Sequence, residues 1–250
     1  YRGILNFFQP SVLLGLTATP ERMDGGDIQE DFHNRISAEI RLPEALNRKL
    51  LCPFQYFGVS DSIDLSKVGW ERGRYIPSEL SSIFTANDRR VREIIDALEK
   101  YTKDLTEVRA LGFCVTIEHA KFMAEKFTLA GLKADYLTST NTLNRDGIRQ
   151  QLQRKDINYL FVVDIFNEGV DIPEVDTLLF LRPTESLTIF LQQLGRGLRL
   201  ADGKQCCTVL DFVGNSRPEY DFAHKFRALI GRTSRAISEE IKQGFPHAPL

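Results

Sequence analysis

The chain has 250 residues, 42% of them hydrophobic and 26% charged, an ordinary globular composition with room for one large domain or one domain and part of another. Lys and Arg number 32 against 34 Asp and Glu, so the net charge of -2 excludes a generally basic, polyanion-coating protein, and any nucleic acid must be met by a local patch. No apolar run approaches the ~18 residues of a membrane span, which argues against a membrane protein. The first residues lack a signal-peptide design, and the four cysteines and four histidines show no zinc-binding spacing, so a reduced, cytoplasmic protein without structural zinc is expected.

The sequence does not open with Met and is expected to be a fragment. Residues 1–9 read as the end of a helix, punctuated by Pro10. Residues 11–18 (SVLLGLTA) form a continuous apolar run suited to a strand buried on both faces of a parallel sheet. The run ends in Thr17-Ala18-Thr19-Pro20, and hydroxyls at the carboxyl end of such a strand point to a ligand crevice. A short helix, a strand-like stretch at 36–40 and a helical stretch at 43–51 follow, with a domain junction expected between 42 and 53. Alternation over 55–59 predicts a strand. Residues 60–86, with Trp70, Arg72, Arg74 and Tyr75, read as an irregular packed insertion rather than a binding platform.

Beyond Asn87 the pattern becomes regular. Asn87 is placed to cap a helix in which Val91, Ile94, Ile95 and Leu98 recur at i, i+3, i+4 and i+7. Strands are predicted at 110–115, 133–137, 159–163, 177–181 and 207–212. Helices are predicted at 118–129, 145–153, around Gln192, at 218–230 and at 233–243. Strands alternating with helices over this length imply an α/β fold, a parallel sheet with helices on both faces.

The stretch Gln192-Gln193-Leu194-Gly195-Arg196-Gly197-Leu198-Arg199 carries the most specific chemistry. At helical spacing Gln192, Arg196 and Arg199 share one face while Leu191, Leu194 and Leu198 share another. Two glycines each cost a helix interior about 1 kcal/mol relative to Ala, so they call for a close backbone approach. A phosphate suits it, because arginine is a permanently charged, bidentate donor. Upstream, Asn167-Glu168-Gly169-Val170-Asp171-Ile172-Pro173 follows a strand. Gly169 there admits a ligand to the backbone, and Asp171 is an acceptor suited to sugar hydroxyls. Two further strands run into hydroxyl-bearing helix starts at Thr116 and at Thr138-Ser139-Thr140. Such starts can bind backbone phosphates, although ordinary capping explains each of them equally well.

Taken together these segments resemble superfamily 2 DEAD/DEAH-type helicases. Leu16-Thr17-Ala18-Thr19-Pro20 resembles motif III, Gly112-Phe113-Cys114-Val115-Thr116 motif IV, Glu168-Gly169-Val170-Asp171-Ile172-Pro173 motif V, and Gln192-x-x-Gly195-Arg196-x-x-Arg199 motif VI. Residues 15–25 and 211–216 are most similar to bacterial helicases related to restriction-enzyme motor subunits and to the XPB group.

The resemblance implies two RecA-like domains that sandwich ATP and Mg²⁺, with Arg196 and Arg199 as arginine fingers and Gln192, Gly169 and Asp171 on the nucleotide. It also implies that Thr17 and Thr19 couple nucleotide state to strand grip, while Thr116, Thr140, Asn167 and Glu168 meet a DNA or RNA strand. Val163 departs from many relatives, which have Thr there, so one hydroxyl contact of motif V is missing.

No G-x-x-x-x-G-K-[ST] occurs, Gly203-Lys204 being followed by Gln205, and no Asp-Glu dipeptide occurs. The phosphate loop and metal box are therefore expected in a first domain preceding Tyr1. The expected division is residues 1–42 as the tail of that domain, 43–232 as the second RecA-like domain and 233–250 as the start of an extension. A non-catalytic nucleic-acid-binding or scaffold module is the alternative; a small-molecule enzyme on a Rossmann-type sheet lacks the Gly-rich first turn.

Overall fold

The computed structural model describes residues 2–8, 11–16, 32–33, 35–137, 145–163, 172–184, 186–220 and 229. Its centre is a strand, Ala110–Cys114, buried at every position. Leu111 and Phe113 face one core while Ala110 and Cys114 face another. A strand apolar on both faces needs helices above and below it.

In chain order the elements are α1 (Arg2–Phe8), α2 (Leu42–Asn47), β1 (Phe54–Asp64), β2 (Trp70–Glu71), β3 (Arg74–Tyr75), α3 (Pro77–Thr85), α4 (Asp88–Tyr101) and β4 (Ala110–Cys114). They continue with α5 (Ile117–Leu129), β5 (Ala134–Leu137), α6 (Arg145–Arg154), β6 (Tyr159–Val163), β7 (Thr177–Phe180), α7 (Leu187–Gly197) and β8 (Cys207–Asn215).

Six strands form one parallel sheet in the order β1-β8-β7-β4-β6-β5. Right-handed crossovers dictate which face each helix covers. The connections that run toward β5, through α4 and α5, cover one face with Val91, Ile94, Leu98, Met123 and Phe127. Those that run back, through α6 and α7, cover the other with Ile148, Leu152, Phe190 and Leu194. Because the strands are parallel, their carboxyl ends share one edge of the sheet, and α7 descends from that edge to the opposite one. This is the expected α/β architecture.

From Asn87 to β8 the expected alternation is borne out among the described residues, and the Asn87 side chain accepts from Arg90 N at 3.0 Å as a cap should. Three expectations fail. Residues 11–16 form no strand, and Val12, Leu14 and Leu16 are exposed, Leu16 at 90%. A strand buried on both faces needs a sheet to enter, and the described residues offer these positions none. Residues 36–40 likewise form no strand.

The region 60–86 is not irregular. β1 continues through Asp64, a hairpin follows, and Pro77 starts α3 at its first position. These pieces enclose a third apolar cluster with Ile63, Leu65, Val68, Tyr75, Leu80, Phe84 and Val115. The expected helix at 218–230 begins as a turn at 218–219, and most of it, with 233–243, lies outside the described residues.

Candidate nucleotide site at the end of α7

Ser186 caps α7 by accepting from Ile189 N at 3.3 Å. The helix then presses Phe190, Gln193, Leu194 and Gly197 into the sheet, a stripe at i, i+3, i+4 and i+7. Gly197 is explained by that packing. A Cβ there would lie 2.6 Å from Cys207 Sγ and 2.8 Å from Leu178. The close approach that the sequence suggested for a phosphate is, at Gly197, an approach to β7 and β8. Gly195 differs, since a Cβ on it would meet nothing within 4 Å.

α7 stops at Gly197, with Leu198 as its cap residue, so Arg199 does not continue the helical face shared by Gln192 and Arg196. The carbonyls there are taken from outside the helix. Cys52 N donates to Leu198 O at 2.8 Å, and Lys204 Nζ donates to Gly197 O at 2.6 Å and to Arg199 O at 2.9 Å. Gln192 and Arg196 are half-buried and Arg199 is exposed.

The third donor of Lys204 decides the site. It reaches Pro173 O at 3.0 Å. Pro173 follows the Gly169-to-Asp171 stretch in the sequence, and a single ammonium ties its carbonyl to the end of the arginine-bearing helix. Burial holds the Lys204 ammonium below the usual lysine range, partly offset by nearby cysteines and acids. Sequence reasoning set Lys204 aside because it fits no phosphate loop. The signal was a lysine shortly past a helix end, after a glycine with φ 76°, placed to meet orphan carbonyls.

At the other edge of the sheet, Thr116 caps α5. Its hydroxyl accepts from His119 N at 3.2 Å and lies 2.6 Å from Ser81 Oγ. Beneath it Val115 N donates to His119 Nδ1 at 3.3 Å, so the buried ring is neutral with its proton on Nε2. Burial, then Arg90 and Arg182, hold its pKa well below the usual histidine range.

Arg90, 2% exposed, donates to Asp61 at 2.7 Å and to Leu181 O at 2.8 Å, and its guanidinium lies 4.0 Å over the Phe84 ring. This buried pair, undetected in the sequence, joins β1 to α4 and, through Leu181 O, to the residue that follows β7. Thr17, Thr19, Thr140, Asn167, Glu168, Gly169 and Asp171 lie outside the described residues.

The family described as helicase conserved C-terminal domain matches residues 91–201, from α4 to just past α7. The chain thus carries a helicase C-terminal domain over these residues. IRC3 of Saccharomyces cerevisiae, assigned by name to the ATP-dependent helicases, is 31% identical to this helicase domain chain over 224 residues. The match covers 86% of the chain but only 32% of the relative, so the chain spans about a third of that protein's length.

A fragment named for the HsdR subunit of a type I restriction enzyme from Vibrio vulnificus YJ016 shares the fold with a TM-score of 0.66. It is 23% identical and covers 85% of this chain and 41% of its own. The ATP-dependent type ISP restriction-modification enzyme LlaBIII bound to DNA gives a TM-score of 0.55 at 17% identity, covering 86% of this chain and 16% of its own. The sheet of the helicase domain is thus RecA-like.

Proposed function

We propose that this chain is the C-terminal motor half of an ATP-dependent DNA or RNA helicase or translocase. Residues 43–232 serve as its second RecA-like domain, 1–42 as the tail of the first and 233–250 as the start of an extension. The observation that supports the reading is the Lys204 clamp, which ties Pro173, two residues past Asp171 in the sequence, to the end of the helix bearing Arg196. Guanidiniums suit a triphosphate tail, and the carboxylate of Asp171, two residues before Pro173 in the sequence, suits a ribose.

In this reading Arg196 and Arg199 reach the terminal phosphate of ATP, Gln192, Gly169 and Asp171 line the nucleotide, and Thr17 and Thr19 couple its state to strand grip. The bound nucleotide and Mg²⁺ supply the scissile phosphoanhydride and offset its charge, with the metal and the phosphate loop's lysine held by the first RecA-like domain. The chain's own part is to orient and neutralise. Thr116, Thr140, Asn167 and Glu168, at or after the carboxyl ends of the strands, face a DNA or RNA strand, and domain closure on ATP moves the two grips relative to each other.

The test is Arg199→Ala in the full-length motor. Nucleic-acid-stimulated ATP turnover should fall by about 10³-fold or more while nucleotide affinity changes little. Full stimulated turnover in that variant, or robust hydrolysis by residues 1–250 alone, overturns the reading.

A further inference from the structure

The hairpin at 70–75 lies outside the family match and has no part in the functions assigned above. Glu71 pairs with Arg74, leaving Arg72 and Gly73 as a two-residue loop with φ of 51° and 78°. Two positive values in succession make the turn type I′, whose first position favours Asn, Asp or Gly. Arginine is a poor choice there, because the left-handed region drives Cβ against the backbone carbonyl. Lys49 and Lys155 also have positive φ, but each follows a helix, where a left-handed residue terminates the turn. Arg72 ends no helix. A residue that breaks the local rule without a structural return points to function.

The base of the hairpin is held firmly. Trp70 and Tyr75 meet edge to face at 4.8 Å, Ile76 N donates to Gly69 O at 2.9 Å and Gly69 N to Glu79 at 2.7 Å. Tyr75 packs in the cluster with Val115, and its hydroxyl accepts from Arg217 N at 2.9 Å. These contacts seat the hairpin on the carboxyl edge of the sheet, beside the turn of Thr116, to which α3 is joined through Ser81.

Arg72 and Arg74 are exposed, and neither side chain makes a hydrogen bond or ion pair among the described residues. Glu71, opposite Arg74, is the one carboxylate on the hairpin. A depression of about 250 Å³ runs alongside, lined by Glu71, Arg72, Arg74, Tyr75, Ile76 and Pro77.

We propose that the tip formed by Arg72 and Arg74 is a further contact to the phosphate backbone of a bound nucleic-acid strand, and that Arg72 keeps its left-handed position for its guanidinium. The inference rests on the proposed function, which assigns this edge of the sheet to the strand. Arginine is the side chain that meets phosphate oxygens two at a time, and a short rigid hairpin brings both guanidiniums at little further ordering cost.

Fluorescence anisotropy with this chain and 20-nucleotide single strands of DNA and of RNA tests it across a salt titration. Arg72→Gly combined with Arg74→Ser should weaken binding to the preferred strand about tenfold, and the slope of log affinity against log salt should shrink by about 1.4, from 0.7 for each lost phosphate contact. Arg72→Lys, which keeps the charge, should retain most of the affinity. Arg72→Gly alone should raise Tm by about 2–4 °C, because glycine fits the turn.

Unchanged affinity and slope in the double variant overturn the hairpin contact alone. A Tm that falls together with affinity makes Arg72 structural and overturns it as well. Failure of the unaltered chain to bind either strand overturns the nucleic-acid reading on which the inference rests.

Discussion

Lys204 shows how much one side chain can organise. Its three donors satisfy three carbonyls, two at the end of α7 and one at Pro173. Lys204→Met keeps the stem but leaves those acceptors bare, so unfolding free energy should fall by about 1–3 kcal/mol in urea denaturation. In the full motor the same variant should lower kcat for ATP turnover more than it raises KM, since the arginines lose their register while nucleotide contacts from the other domain persist.

His119 makes a second prediction at this scale. Its folded pKa lies well below the unfolded value of about 6.5, so below that pH the unfolded chain binds a proton that the folded chain refuses. The stability contributed is complete above pH 6.5 and is lost as pH falls, by at most about 1.4 kcal/mol per pH unit. His119→Asn keeps an acceptor for Val115 N and should flatten stability measured from pH 7 to pH 5.

The glycines of α7 are alike in sequence and different in place, and the difference is measurable. Gly197→Ala drives a methyl into Cys207 and Leu178 and should cost about 1–3 kcal/mol of stability. Gly195→Ala meets open space and should gain about 1 kcal/mol from helix propensity. If Gly195 admits the nucleotide, that stabler variant turns over ATP more slowly, and denaturation and kinetics on one pair of proteins separate the two roles.

Elements were legible where their signals were repeated. α4 announced itself through a cap and an apolar stripe, and β6 was recovered at its own ends because five apolar residues are bounded by polar ones. The second half of β1 was hidden because Ser60, Asp61, Ser62 and Asp64 look like loop, although Asp61 is in fact the buried partner of Arg90. α3 carried a usable signal in Pro77 followed by Leu80, Ile83 and Phe84. At the site, Arg196 and Arg199 were readable as a motif, but the helix end that separates them depends on Cys52 and Lys204, one of which lies far off in sequence. Patterns reveal periodicity, not which distant donor will satisfy a carbonyl.

At the scale of the molecule, none of the described residues of the first segment enters the six-stranded sheet. Phe7 and Phe8 on α1, like Val12, Leu14 and Leu16, are exposed, and none joins an apolar cluster. Deleting residues 1–40 should therefore shift Tm by less than about 2 °C, a small fraction of a typical core lesion, and should reduce binding of a hydrophobic dye. A large loss of Tm would show that the proposed boundary near residue 42 is misplaced.

The pairing of β1 with β8 has a consequence in time. β1 stands at the margin of the sheet and its ladder is with β8 alone, Phe54 lying opposite Cys207. During synthesis at about 5–20 residues per second, the earlier strand emerges roughly 8–30 s before its mate. Throughout that interval its unsatisfied amides and carbonyls offer a template to any other nascent chain. A ribosome stalled short of Cys207 would thus release a product whose β1 is open to aggregation, which makes β8 the strand that closes this side of β1.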